Sequence, residues 1–235
     1  MNLILLFPED FVATDRVLLS GRRLRHVLEV HRAAVGQCLC VGEAGGRIGR
    51  GEVLRLDDDG LELAVTFERE PPPPLPVTLL LTLPRPKVLK RVLLAATSLG
   101  VKRIVLMNSF RVEKSFWKSP ALVGEGLREP LILGLEQARD TVLPEVLLKP
   151  LFKPFVEDEL PALSVGSTRL VAHPLTERAC PREVFSPVTL AVGPEGGFIP
   201  YEIEKLQEAG FLPCALGERI LRVETAVTTL LARLF

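Results

Sequence analysis

Pro71-Pro72-Pro73-Pro74, followed by Leu75 and Pro76, constrains this chain more than any other stretch. Each proline fixes its own φ and lacks an N–H donor, so neither a helix nor a central strand passes through the run. Such a segment is a stiff, extended spacer. The 235 residues therefore divide into a domain at 1–70, a linker at 71–76 and a domain at 77–235, and a chain of this length can hold one large or two modest cores.

Before the prolines, short apolar runs recur at Leu3–Phe7, Val17–Leu19, Cys38–Val41, Gly51–Leu56 and Leu61–Phe67. Glycines and the turn Asp57-Asp58-Asp59-Gly60 separate them, and an Asp-Gly pair before an alternating run is a hairpin signal. The pattern predicts a small β-barrel, with Met1–Phe7 as its first strand. Between strands, Ser20–Arg32 reads as a short helix with Ser20 as its N-cap.

Beyond the prolines the period changes. Val77–Leu83 is a continuous apolar run, the mark of a strand buried on both faces. Pro86–Leu99 carries Val88, Leu89, Val92, Leu93, Ala96 and Leu99 at helical spacing. Gly100 ends it and Val101–Met107 is the next strand, so a parallel βαβ unit is expected. Leu122–Arg139 reads as a long helix stopped by Pro144. Thr168–Ala172, Val188–Val192 and Leu212–Leu216 read as strands, Tyr201–Ala209 and Glu224–Phe235 as helices. The Val188 strand empties into Gly193-Pro194-Glu195-Gly196-Gly197, whose glycines let the backbone turn sharply and come close to a ligand. Such a turn also serves purely structural ends. If the three strands are neighbours, the loops after Ala172, Val192 and Leu216 converge on one pocket.

Composition narrows the class. Apolar residues make up 47% and charged residues 25%, an ordinary globular balance, and no apolar run reaches membrane-spanning length. Met1–Phe7 lacks the basic start and cleavage site of a signal peptide. Cys38, Cys40, Cys180 and Cys214 form no CxxC pair, and are expected as reduced, mostly buried thiols in the cytoplasm. His26, His31 and His173 do not cluster with them, so no metal site is expected.

Net charge is zero, but its distribution is uneven. Ser20–Arg50 holds six arginines (22, 23, 25, 32, 47 and 50) against Glu29 and Glu43, a local +4. Arginine without lysine suits phosphate contact, although a solvated face has the same composition. Arg85–Lys118 holds nine cations against Glu113, a local +8, with Phe116 and Trp117 inside it. Those rings could stack on bases or pack in a core. The charge favours a nucleic-acid partner over a small neutral one.

Gly193-Pro-Glu-Gly-Gly-Phe198, together with Leu216-Gly-x-Arg-Ile-Leu-Arg-x-Glu-Thr-Ala226, resembles the RsmE family. The likeness extends through Leu99-Gly-Val101, Glu136-Gln-Ala-Arg139, Pro144 and His173-Pro174 and covers essentially the whole chain. These are SPOUT-class enzymes that methylate N3 of a uridine in 16S ribosomal RNA of the small subunit with S-adenosylmethionine. The resemblance implies an α/β fold: a C-terminal SPOUT trefoil-knot domain after an N-terminal PUA-like β-barrel. It also implies a cytoplasmic homodimer joined through the knot domain, in which Glu224–Phe235 offers an apolar face unless the monomer itself buries it. Three positions depart from the family pattern: Ser98, the start Met1-Asn2-Leu3, and Ile199 where a capping serine is common.

By family position, Leu170, His173, Pro174, Gly193, Pro194, Glu195, Gly196, Gly197, Leu216, Gly217, Ile220, Leu221, Thr225 and Ala226 would hold the cofactor. The reaction asks for more. Uracil N3 becomes a nucleophile only when its proton leaves, and the anion spreads onto O2 and O4, where a cation stabilises it. Arg222 is the first candidate and Arg219 the second, with an ion pair between Arg222 and Glu224 or Glu195 as the structural alternative. Glu224 would orient an arginine, cap the last helix or help remove the proton. Arg22, Arg23, Arg25, His26, Arg32, Lys114 and Lys118 would contact RNA. No metal is required. Other readings are a SPOUT enzyme acting on ribose or another base, and a non-catalytic ribosome-assembly protein.

Overall fold

Across residues 70–76 the computed structural model, which describes residues 2–235, has neither helix nor strand. Met1, the start of the expected first strand, lies outside the described residues. The chain forms two compact units: Met1–Pro73 with Ile132–Leu143, and Pro74–Leu131 with Pro144–Phe235.

The first unit holds strands β1 (Ile4–Leu6), β2 (Phe11–Ala13), β3 (Arg16–Leu19), β4 (Cys38–Glu43), β5 (Ile48–Leu56) and β6 (Leu61–Arg69), with helix α1 (Gly21–His26) after β3. Their order is β1-β4-β5-β6-β3-β2; β1 runs parallel to β4, and the other pairs are antiparallel. The two outermost strands are consecutive in the chain, joined only by the short turn Pro8–Asp10. A six-stranded sheet whose edges lie one turn apart must curl, which is the barrel geometry. Leu61, Leu63 and Val65 alternate inward with Val17, Leu19, Val41 and Val53, and Leu24 and Val27 pack against them.

β1 is apolar without alternation because both its faces are covered. Ile4 and Leu6 face the barrel core, while Leu3, Leu5 and Phe7 pack with Ile48, Ile132 and Leu135. Two further details depart from expectation. Ser20 makes no side-chain cap, and the helix gives way at Val27–His31 to a π turn that ends on Arg32 in the left-handed region, φ 49°.

The second unit contains β7 (Val77–Thr82), α2 (Pro86–Ser98), β8 (Arg103–Met107) and the start of α3 (Glu125–Ala138). It continues with β9 (Glu145–Lys149) and a helical stretch of α4 (Phe152–Pro154), a π turn (Phe155–Glu159) and α5 (Leu160–Leu163). β10 (Thr168–Ala172), β11 (Val188–Val192), α6 (Pro200–Glu208), β12 (Leu212–Cys214) and α7 (Val223–Leu234) complete it. Its six strands are all parallel, in the order β12-β10-β11-β7-β8-β9. β10 thus lies between β11 and β12, so the three expected strands are neighbours. The long helix starts at Glu125 rather than Leu122, because Pro120–Leu122 forms a 3-10 turn.

α7 decides between the two alternatives left open for its apolar face. Val227, Leu230, Leu231 and Leu234 are each about 1% exposed or less, with α7 packed on α2 and β11. Its apolar face is satisfied within one chain. The thiols correct an expectation: Cys180 and Cys214 are buried, but Cys38 is exposed and Cys40 half-buried. No helix among the described residues is long and apolar enough to cross a membrane.

Candidate functional site

Parallel register aligns the carboxyl ends of β10, β11 and β12, with Val171 opposite Ala191 and Ala172 opposite Cys214. The loops that leave these ends, together with α7, enclose a cavity of about 220 Å³. Each wall has its own local cause. β11 is buried at all five positions, and where it ends the Thr82 hydroxyl donates to the Val192 carbonyl at 2.9 Å. The chain then turns through Pro194–Gly197, closed by Gly197 N–H donating to Pro194 O at 2.8 Å, with Gly197 at φ 72°. That φ favours glycine. A Cβ on Gly196 would come within 2.9 Å of Arg111 Cδ.

One side chain from outside holds the turn, and a second holds the segment that follows it. The Arg111 guanidinium donates to the Gly196 carbonyl. Glu202, 2% exposed in the first turn of α6, accepts from Ile199 N–H at 3.0 Å and Phe110 N–H at 2.7 Å. This carboxylate supplies the cap that Ile199 lacks, at the helix end where negative charge is favoured. Glu195 accepts from the backbone N–H of Arg85 at 3.2 Å.

The other walls are less polar. His173 donates its backbone N–H to Cys214 O at 2.9 Å, and burial holds its imidazole below the usual histidine range. Cys214 also borders the cavity. Its hydrogen bond to Cys180, reinforced by burial, pushes its thiol pKa up, so it stays protonated. Leu216, Ile220 and Leu221 contribute the third loop, and Val223, Ala226 and Leu230 form one stripe of α7.

Of the expected cofactor residues, His173, Pro174, Gly193, Pro194, Glu195, Gly196, Gly197, Leu216, Gly217, Ile220, Leu221 and Ala226 line this cavity. Leu170 is instead buried within β10, and Thr225 is exposed on α7; neither is a lining residue. Ala172, Val192, Cys214, Ala215, Val223 and Leu230 line it unforeseen. The helical spacing of Val223, Ala226 and Leu230 was a legible signal. Arg111's part was not, since it depends on a contact 85 residues away.

Arg219 lines the cavity, while Arg222 sits exposed at the start of α7, between the lining residues Leu221 and Val223. The alternative ion pairs for Arg222 do not form. Glu224 pairs with Arg91 at 3.6 Å, and Glu195 is engaged by Arg85 N–H. Among the described residues neither Arg219 nor Arg222 has a carboxylate partner.

The basic windows dissolve in part. Arg23 forms a fork with Asp10, Nη2 to Oδ1 at 2.6 Å, and also donates to Leu5 O. Arg22 forms another with Glu136 at 2.8 and 3.0 Å. Arg47 pairs with Glu70 and Arg50 with Glu68. Arg25 and Arg32 remain exposed without acidic partners among the described residues. His26 stacks edge-on against His31 at 4.8 Å. In the second unit Lys90, Arg91 and Arg103 meet Glu129, Glu224 and Glu145. Lys114 and Lys118 are exposed on a 3-10 turn, whereas Trp117 is half-buried and donates to Asn108 Oδ1 at 2.9 Å.

A parallel sheet whose three adjacent strand ends carry a glycine turn and converging loops is the α/β architecture that places a ligand site at the carboxyl ends of its strands. A Neisseria gonorrhoeae structure described as ribosomal RNA small subunit methyltransferase E bound to S-adenosyl methionine shares the fold. Its TM-score is 0.75 at 24% identity, over 99% of this chain and 95% of that one. Residues 71–235 match the family model described as RNA methyltransferase domain, and the chain belongs to that family. Two curated relatives carry the name ribosomal RNA small subunit methyltransferase E. The Treponema pallidum protein is 32% identical over 61% of this chain, a match spanning only 55% of that protein's length. The Synechocystis protein is 29% identical over 97% of this chain and 75% of its own length. The resemblance read from the two C-terminal motifs is borne out.

Proposed function

We propose that the chain is an S-adenosylmethionine-dependent methyltransferase that methylates N3 of a uridine in 16S ribosomal RNA. The observation that carries this reading is the cavity formed by the Gly193–Gly197 turn and its two neighbouring loops, within the span that matches the RNA methyltransferase family. The names of the relatives supply the substrate.

The cavity suits the cofactor. Gly193, Gly196 and Gly197 leave backbone groups accessible, and Leu216, Ile220, Leu221, Val223 and Leu230 offer apolar walls to an adenine. Burial of His173 disfavours a positive imidazole, which would repel a sulfonium. When bound, S-adenosylmethionine supplies an electrophilic methyl group. The protein's task is to align uracil N3 with it and to exclude water. Arg222, exposed and without a carboxylate partner, stabilises the negative charge that develops on O2 and O4, with Arg219 as the second cation. Glu224, engaged with Arg91 in the first turn of α7, has a helix-capping and orienting role. Replacing Gly196 with Val is expected to abolish cofactor binding, because the new side chain meets Arg111 Cδ and displaces the guanidinium that holds the lining turn; calorimetric titration measures it, and unchanged affinity would place the cofactor elsewhere.

RNA capture falls to Arg25, His26 and Arg32 in the first unit and to Lys114 and Lys118 in the second. Arg23, tied into its fork, has a structural role, and Arg22 contacts RNA only by leaving Glu136. Phosphate contacts position a substrate without specifying it. The double change Arg25→Ala, Arg32→Ala is expected to lower the slope of log K against log salt by about two, roughly one per lost phosphate contact. An unchanged slope in filter binding would show a merely solvated face. We further propose a cytoplasmic homodimer; Leu175 and Phe185, 86% and 94% exposed on the loop after β10, are surface that such contact would cover.

The direct test is mass spectrometry of nucleosides from unmodified 16S ribosomal RNA, or small subunits, incubated with the protein and labelled cofactor. The reading requires label in 3-methyluridine. Label in ribose or another base would make this a different SPOUT enzyme, and none at all would favour an assembly protein.

A further inference from the structure

Phe110 is 78% exposed, yet the backbone on which it sits is fixed on every side. Its own N–H donates to the buried carboxylate of Glu202. The next residue, Arg111, reaches the Gly196 carbonyl of the cofactor turn. Before it, Asn108 N–H donates to Lys149 O at 3.0 Å and Asn108 Oδ1 accepts from Trp117. After it, Val112 is buried and its N–H closes a turn onto Ser109 O. A loop this firmly tied presents a bare aromatic ring one residue from a guanidinium that touches the cavity lining.

The proposed reaction gives such a ring a use. Uracil N3 lies on the Watson–Crick edge, so the target base must be unpaired, and a base drawn from its stack loses partners for its faces. A ring held by rigid backbone replaces them at little entropic cost, and stacking serves without hydrogen bonds. Lys114 and Lys118, exposed on the turn that follows, suit the flanking phosphates. We propose that Phe110 is a substrate-positioning residue that stacks on the unpaired target uracil and holds it beside the cofactor turn. This inference rests on the methyltransferase reading above.

The test compares Phe110→Ala, Phe110→Leu and Phe110→Tyr in the full chain, with unmodified 16S ribosomal RNA as substrate. Phe110→Ala is expected to lower kcat/KM for RNA by about tenfold or more. Cofactor affinity and melting temperature should stay unchanged, since the ring is exposed. Phe110→Leu should behave like the alanine variant and Phe110→Tyr like the parent, because the aromatic face and not apolar bulk is needed. Parental kcat/KM in the alanine or leucine variant overturns the proposal. If the parent binds cofactor and methylates RNA while all variants match it, this inference alone fails. If the parent binds no cofactor, the methyltransferase reading fails and this inference falls with it.

Discussion

Arg222→Ala is expected to slow methylation by two to three orders of magnitude, roughly the effect of removing one charge-stabilising donor from an active site. Cofactor affinity should be little changed, because the cavity is lined by Leu221 and Val223 on either side of this residue and not by Arg222 itself. The fold should also survive. The side chain is exposed, and the bond that Ala226 N–H donates to the Arg222 carbonyl does not depend on it. Arg222→Lys should recover part of the rate, since it keeps the charge but loses the planar fork. Single-turnover kinetics with saturating RNA make the comparison. Near-parental turnover in the alanine variant would take Arg222 out of the mechanism and leave the task to Arg219.

The largest stability effect is expected at Arg23. Its guanidinium and the Asp10 carboxylate are 18% and 7% exposed as side chains, the most enclosed of the ion pairs described for the first unit. The pair carries further bonds: Arg23 to Leu5 O at 2.8 Å and Phe7 N–H to Asp10 at 2.7 Å. Removing one partner strands a buried charge, at a cost of about 3 kcal/mol or more. The exposed pairs Arg47–Glu70 and Arg50–Glu68 are each worth roughly 0–1 kcal/mol. Arg23→Ala should therefore lower the urea midpoint of the first unit far more than Arg47→Ala. The double variant Arg23→Leu, Asp10→Leu should recover much of the loss, since no charge is left unpaired. Equal midpoints for Arg23→Ala and Arg47→Ala would show that the fork contributes nothing. Weaker RNA binding by Arg23→Ala should follow the fraction unfolded, unlike the salt-slope change at Arg25 and Arg32.

The same arginines show where sequence reading stopped. A window from Ser20 to Arg50 counts cations correctly but not the acids that fold onto them. Glu136 lies 114 residues from Arg22, and Asp10 lies just outside the window. Periodic segments were legible because burial imposes its period locally: β7, α2, β10, β11 and α7 were all read within a few residues. β9 and the stretch Phe152–Leu163 went unread; β9 pairs on only one side, as an edge strand, and Pro154 and Pro161 break any clean helical repeat. The stripe of α3 gave no sign that Ile132 and Leu135 pack against Leu3 and Leu5, since one apolar face looks alike whatever covers it. At the site, the glycine turn and the loop after Leu216 stood out. The tie from Phe110 N–H to Glu202, across 92 residues, did not.

The central claim is that the cavity beneath the Gly193–Gly197 turn holds S-adenosylmethionine. Calorimetric titration of the purified chain with that cofactor tests it most directly. The account predicts one site per chain, lost in Gly196→Val and kept in Arg222→Ala. A folded protein that binds no cofactor, alone or with 16S ribosomal RNA present, would contradict it.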